Sequence, residues 1–182
     1  MNAKNKEYLM NYLDIIYELI GNFDTILDIL KLLCVGKTDK NLNVSNASEM
    51  VMKNIDKMLY NLEESSASME KLLQEASTGI YFKIKVYKEL EELKDLQGIN
   101  KKITKKLKDA IDIVGTYYIY IDLILGENAP QIPYSLPERV IKSNEGKSQD
   151  EIFEKLIADI KENTLGLSEI ANDILRLNNI RG

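Results

Sequence analysis

The sequence contains no histidine and no tryptophan, a single cysteine, three prolines and nine glycines. Each shortage closes off some chemistry. Without histidine there is no ordinary general base at neutral pH, no Ser–His or Cys–His nucleophile pair and no imidazole ligand for a metal. The lone Cys34 excludes an intrachain disulfide and a thiolate zinc cluster, and fits a reducing, cytoplasmic setting. It falls on an apolar seam, where a buried, inert thiol is expected. No glycine-rich phosphate loop occurs, and no motif calls for a cofactor. The most apolar stretch, Ala110 to Leu125, is short for a membrane span and carries Asp112 and Asp122. Met1-Asn2-Ala3-Lys4 is soon followed by Glu7 and Asp14, with no small-residue cleavage site, so no secretory leader is expected.

What is present is helical periodicity. The chain has 182 residues, 45% hydrophobic and 29% charged, which suits one folded domain and not a disordered chain. A net charge of −5 argues against a nucleic-acid binder, whose affinity rests on neutralising phosphates. The organising stretch is Leu9 to Cys34. Leu9, Leu13, Ile16, Ile20, Phe23, Leu27, Leu30 and Cys34 alternate steps of four and three, a heptad seam. A second seam, Tyr8, Tyr12, Ile15, Leu19, Ile26, Ile29 and Leu33, runs beside it. A helix apolar over so much of its girth must be covered from several sides.

The spacing therefore predicts an all-α, elongated antiparallel bundle of about four long helices over residues 1–182. The helices are expected over about 4–35, 46–97, 100–125 and 149–178, with a crossover loop at 126–148. Lys37 to Val44 reads as a loop, and Asn46 with Glu49 as a capping box. The second helix weakens at Ala76-Ser77-Thr78-Gly79, so it either bends near Gly79 or splits there. Gly98 is expected to end it in a short turn, forming a hairpin that pairs Glu89, Glu91, Glu92 and Asp95 with the following lysines, a possible projecting arm. Ser135 with Glu138 implies a short helix through Val140 and Ile141, stopped near Gly146. Ser148 with Glu151 is a cleaner capping box for the last helix, which Gly166 and Ser168 divide or kink; Asn178 to Gly182 is expected to fray.

Four groups of residues are candidates for chemistry. Asp150-Glu151-Ile152-Phe153-Glu154, followed by Glu169-Ile170-Ala171-Asn172-Asp173, resembles the all-α nucleotide pyrophosphatases of the MazG type. That resemblance implies Glu151, Glu154, Glu169 and Asp173 as Mg²⁺ ligands in cleavage of a nucleoside triphosphate. Asp150 replaces a glutamate of the pattern, and the second motif is one residue too long. At about 100° per residue these carboxylates also turn away from the apolar stripes of their helix, as on a solvated face. The second group is Lys101, Lys102, Lys105, Lys106 and Lys108, which suits a partner or an anion (anionic lipid, phosphate or nucleic acid), or else simple pairing with the acidic residues before Gly98. The third is Tyr117, Tyr118 and Tyr120, expected in the core and otherwise suited to a membrane interface or a partner groove. The fourth is Lys83, on an otherwise apolar or small seam.

The functional expectation is a non-enzymatic protein–protein interaction module: an adaptor, regulator, immunity-type inhibitor or assembly subunit. Its partner is another protein or a second copy of itself, held through helix faces. The alternatives are the Mg²⁺-dependent triphosphate pyrophosphohydrolase and a peripheral membrane-associated helical protein.

Overall fold

The computed structural model describes residues 3–34, 41–78, 87–131 and 135–180. Five α-helices carry these segments: α1 (Ala3–Cys34), α2 (Asn41–Thr78), α3 (Tyr87–Leu125), α4 (Glu138–Asn144) and α5 (Gln149–Ile180). A single 3-10 turn, Gly126–Asn128, follows α3, with Gly126 at φ 54°. No strand occurs among the described residues.

The four long helices form a ring in which α1 packs on α2, α2 on α3, α3 on α5, and α5 back on α1. Side-chain contacts fix their directions. Tyr12 on α1 reaches Ser65 in the second half of α2, and Ser48 near the start of α2 meets Tyr117 late in α3. Gln149 opening α5 meets Leu123 closing α3, and Asn178 near the end of α5 meets Met10 near the start of α1. Each neighbouring pair is thus antiparallel, and α1 and α3 stand on opposite corners, running the same way. At ~1.5 Å per residue, helices of this length give a bundle roughly 50 Å long.

The first helix follows its pattern. Leu9, Leu13, Ile16, Phe23 and Leu30 of one seam, and Tyr12, Ile15, Leu19, Ile26 and Ile29 of the other, are buried. Burying each large aliphatic contributes about 1.5–3 kcal/mol, and here both seams contribute because two neighbours cover α1. The Cys34 side chain and Lys83 lie outside the described residues.

Several expected boundaries are corrected. Gly98 ends nothing: α3 runs through it without interruption, and the acidic residues before it share one helix with the lysines after it. There is no hairpin or arm at Gly98. The core stripe Leu96, Ile99, Ile103, Leu107 crosses the glycine unbroken, and its packing outweighs the ~1 kcal/mol propensity cost of one glycine. The break falls instead after Thr78, where α2 ends, and Tyr87 opens the next helix. α2 also begins earlier than its apparent cap, at Asn41, so that Val44 joins the core and Asn46 is an exposed mid-helix residue. Gly166 does not divide α5, which is continuous to Ile180, and Ser168 donates to the Thr164 carbonyl (2.9 Å). The helix therefore persists beyond Asn178, where fraying was expected.

The crossover carries the short helix read from Val140 and Gly146. Val140 is buried and Ile141 exposed. Pro137, with no side-chain hydrogen bond, stands at the cap position rather than Ser135. Gly146, at φ 72°, turns the chain toward α5. Gly115 on α3 admits this strap: a Cβ there would lie 2.9 Å from Val140 Cγ1. Arg139 Nε donates to Asp112 Oδ1 (2.7 Å), and Asn144 Nδ2 to Thr116 Oγ1 (3.2 Å).

Candidate functional site

The lysine run occupies the outer side of α3, on the stretch not covered by α4. Lys101, Lys105 and Lys108 recur at i, i+4 and i+7, which puts them on one stripe, and all three are exposed. None of them forms an ion pair among the described residues. Lys102 and Lys106 lie one step round the helix, toward α5. Lys102 Nζ donates to Asp173 Oδ2 at 2.6 Å, and Lys106 Nζ lies 3.5 Å from Asp109 Oδ2. Among the described residues the expected pairing of the run with the acidic residues before Gly98 therefore does not form; two of the five lysines find other carboxylates instead.

The carboxylates of α5 do not gather. Glu151 and Glu169 stand about 27 Å apart along a straight helix at ~1.5 Å per residue. The MazG-type pattern needs its two acidic motifs on facing helices, whereas here both lie on α5. Glu151 is committed to the helix start: the Ser148 N–H donates to Glu151 Oε2 (2.6 Å), and the Glu151 N–H donates to Ser148 Oγ (3.2 Å). This is the capping box read from the sequence, and the backbone hydrogen bond from Ser148 holds the Glu151 carboxyl below its ordinary pKa. Glu154 is exposed, and Asp173 is taken by Lys102. Among the described residues no group of three or more histidine, cysteine, aspartate or glutamate side chains is arranged to hold a metal ion.

One carboxylate pair and part of the lysine run do meet, across the α3–α5 seam. Lys102, Lys105 and Lys106 face Glu169, Asp173 and Arg176 over a groove of about 460 Å³. Gly166 forms part of its floor. A Cβ there would overlap the end of the Lys106 side chain, which lies across α5 at that point. Arg176 was not anticipated. The signal for it is its spacing, since Glu169, Asn172 and Arg176 follow one another at i, i+3 and i+7 on an exposed stripe.

A second charged cluster pins α4. Besides the Arg139–Asp112 pair, Lys155 lies 4.0 Å from Asp159 and within 3.5 Å of Ser143 Oγ on α4. Burial pushes the Asp159 carboxyl up, with Lys155 opposing the shift. These charges are consumed in holding elements together.

The tyrosines are in the core, as expected: Tyr117, Tyr118 and Tyr120 are all buried. The Tyr117 hydroxyl shares a hydrogen bond with Ser48 (2.8 Å), and Tyr120 packs against Phe153 with ring centroids 5.9 Å apart. They present no aromatic face to a membrane. Among the described residues, no helix is long and apolar enough to cross one.

No family model, curated protein or solved structure matches the chain.

Proposed function

We propose that this protein is a non-enzymatic helical interaction module that binds another protein through its outer helix faces. The observation that carries the reading is the stripe of Lys101, Lys105 and Lys108, exposed and unpaired among the described residues, beside the mixed-charge groove between α3 and α5. Unpaired like charges on one stripe repel each other and cost the isolated fold stability, so an anionic surface that covers them gains. The carboxylates are dispersed, which leaves the hydrolase reading without a Mg²⁺ cradle. The buried tyrosines remove the aromatic half of the membrane reading.

The test is a photo-crosslinking amino acid in place of Lys105, with a control in place of exposed Glu154 on α5. A discrete protein adduct from position 105 and none from the control is expected. Absence of any protein adduct from position 105 overturns the reading.

A further inference from the structure

The exposed stripes of α1 and α3 share one spacing and carry opposite charge. On α3 the outward residues Lys94, Gly98, Lys101, Lys105 and Lys108 follow in steps of four and three, and all are exposed. On α1 the outward residues Met10, Asp14, Tyr17, Gly21, Asp24 and Asp28 follow in the same steps, and all are exposed as well. A four-three stripe is the seam along which one helix packs against another. One stripe holds four lysines and a glycine; the other holds three aspartates, two large apolar side chains and a glycine. Gly21 and Gly98 each have open space where a Cβ would stand, so neither glycine is explained by packing inside the bundle. Both positions lower helix propensity without any internal gain, and both let a second helix approach closely.

The two stripes lie on opposite sides of the molecule, because α1 and α3 occupy opposite corners of the ring. They are also level with each other: Asn5 meets Glu92, and Tyr12 meets Asn100. The two stripes therefore cannot meet within one bundle. They can meet between bundles in the same orientation that are shifted sideways and slid along the axis, which brings Asp24 from the level of Asp112 to that of the lysines.

We propose that the partner on the lysine stripe is a second copy of this chain, seated through the acidic stripe of its α1. This rests on the interaction reading above and names its partner. Asp14 and Asp24 form no ion pair among the described residues, so they are available to the lysines of a neighbour. Tyr17, 52% exposed, offers a ring face to a lysine ammonium, and Met10, 41% exposed, offers apolar contact. The contact is heterologous, since one face meets a different face. Repeated side by side it gives an open row of bundles and not a closed two-fold dimer. An acidic segment of some other protein would satisfy the lysines as well, but the matched four-three spacing favours a helix of this kind. Nucleic acid fits less well, because Glu169 and Asp173 stand beside the lysines and the stripe has no aromatic residue for stacking.

The experiment is sedimentation velocity of the full chain over a concentration series, at about 0.01 M salt (Debye length ~30 Å) and about 1 M salt (~3 Å). The weight-average sedimentation coefficient is expected to climb with concentration at low salt, without a plateau at dimer, and to fall back to monomer at high salt. Two charge-reversed variants follow: Lys101→Glu/Lys105→Glu/Lys108→Glu, and Asp14→Lys/Asp24→Lys. Each alone is expected to stay monomeric while keeping its helical circular dichroism. Mixed in equal amounts they are expected to associate again, because each then carries a stripe complementary to the other. A wild-type chain that stays monomeric at low salt overturns the proposal, as does association that survives either reversal or a mixture that fails to associate. A monomeric chain that still yields a foreign adduct from position 105 overturns only the self-association and leaves the interaction reading standing.

Discussion

The Tyr12 hydroxyl on α1 lies 3.0 Å from Asn100 Oδ1 on α3, bridging the two helices that occupy opposite corners of the bundle. The same hydroxyl is 2.8 Å from the Ser65 carbonyl. Ser66 Oγ donates to the same Asn100 oxygen at 3.1 Å and lies 3.0 Å from Thr104 Oγ1. The result is a polar layer, largely shut off from water, joining three helices inside a mainly apolar core. Such layers contribute alignment more than net stability, because burying them costs nearly what their hydrogen bonds return.

Tyr12→Phe is expected to lower unfolding stability by about 1 kcal/mol, since Ser66 still satisfies Asn100. Asn100→Leu is expected to cost more, about 2–3 kcal/mol, because the Ser66 and Tyr12 hydroxyls lose a shared acceptor in a desolvated place. The double variant should cost less than the two losses combined, as both act on one network. Urea denaturation of the four proteins checks this; strict additivity would show that the layer does not act as a unit.

Alkaline pH is expected to unfold the bundle through two phenols. Burial pushes the Tyr12 and Tyr117 hydroxyls well above their ordinary value of 10.0, with hydrogen bonds from Ser66 and Ser48 opposing it. With both folded values raised, the folded and unfolded chains bind equal protons below pH 10. Above it the unfolded chain loses protons first, so stability falls as pH climbs. Thermal melts at pH 9, 10 and 11 check the sign, using about one unit either side of the unperturbed phenol pKa. Tyr12→Phe should flatten the alkaline fall, and an unchanged slope would remove Tyr12 as a cause.

α4 is expected to come loose when Gly115 gains a side chain. Its Cβ would stand 2.9 Å from Val140 Cγ1, and Val140 is only 2% exposed. Gly115→Ala improves helix propensity by about 1 kcal/mol but overpacks this contact by about 1–3 kcal/mol, so a net loss is expected. Adding Val140→Ala makes room. Limited proteolysis between residues 126 and 148 should speed up in Gly115→Ala and slow again in the double variant. Equal cleavage of all three proteins would mean that Val140 is not what holds the strap.

Acid is expected to loosen the start of α5 specifically. Hydrogen bonds from Ser148 hold the Glu151 carboxyl below its ordinary value of 4.5. A lowered folded value means the cap contributes above that pH and is lost as pH falls through the folded value. Amide hydrogen exchange at Ser148, whose N–H donates to Glu151, should rise in that acidic window. Glu151→Gln keeps a neutral capping side chain and should show no such rise of its own.

The sequence made α1 legible because it carries an uninterrupted apolar rhythm, and the start of α5 legible because of a complete capping pair at Ser148 and Glu151. The same reading failed at Gly98. A glycine followed by Asn100 resembles a helix end and a new cap, yet Asn100 turns inward to meet Tyr12 and Ser66, an attraction across tens of residues that local spacing does not contain. The lysines were visible as a run, but the capture of Lys102 by Asp173 depended on α5 lying alongside, while Lys106 meets Asp109 within α3. The outward stripe of Met10, Asp14, Tyr17, Gly21, Asp24 and Asp28 on α1 was not singled out beside the two apolar seams. Its kinship with α3 emerges once both helices have an outward direction.

The alternation of helix direction around the ring has an electrical consequence. Each positive helix end sits beside the negative ends of its neighbours, so the four macrodipoles largely cancel. An approaching molecule therefore feels little of the backbone and mainly the side chains displayed on it. The outward charges Asp14 and Asp24 on α1 and Lys101, Lys105 and Lys108 on α3 can accordingly be exchanged, reversed or removed to retune attraction without disturbing what holds the bundle together.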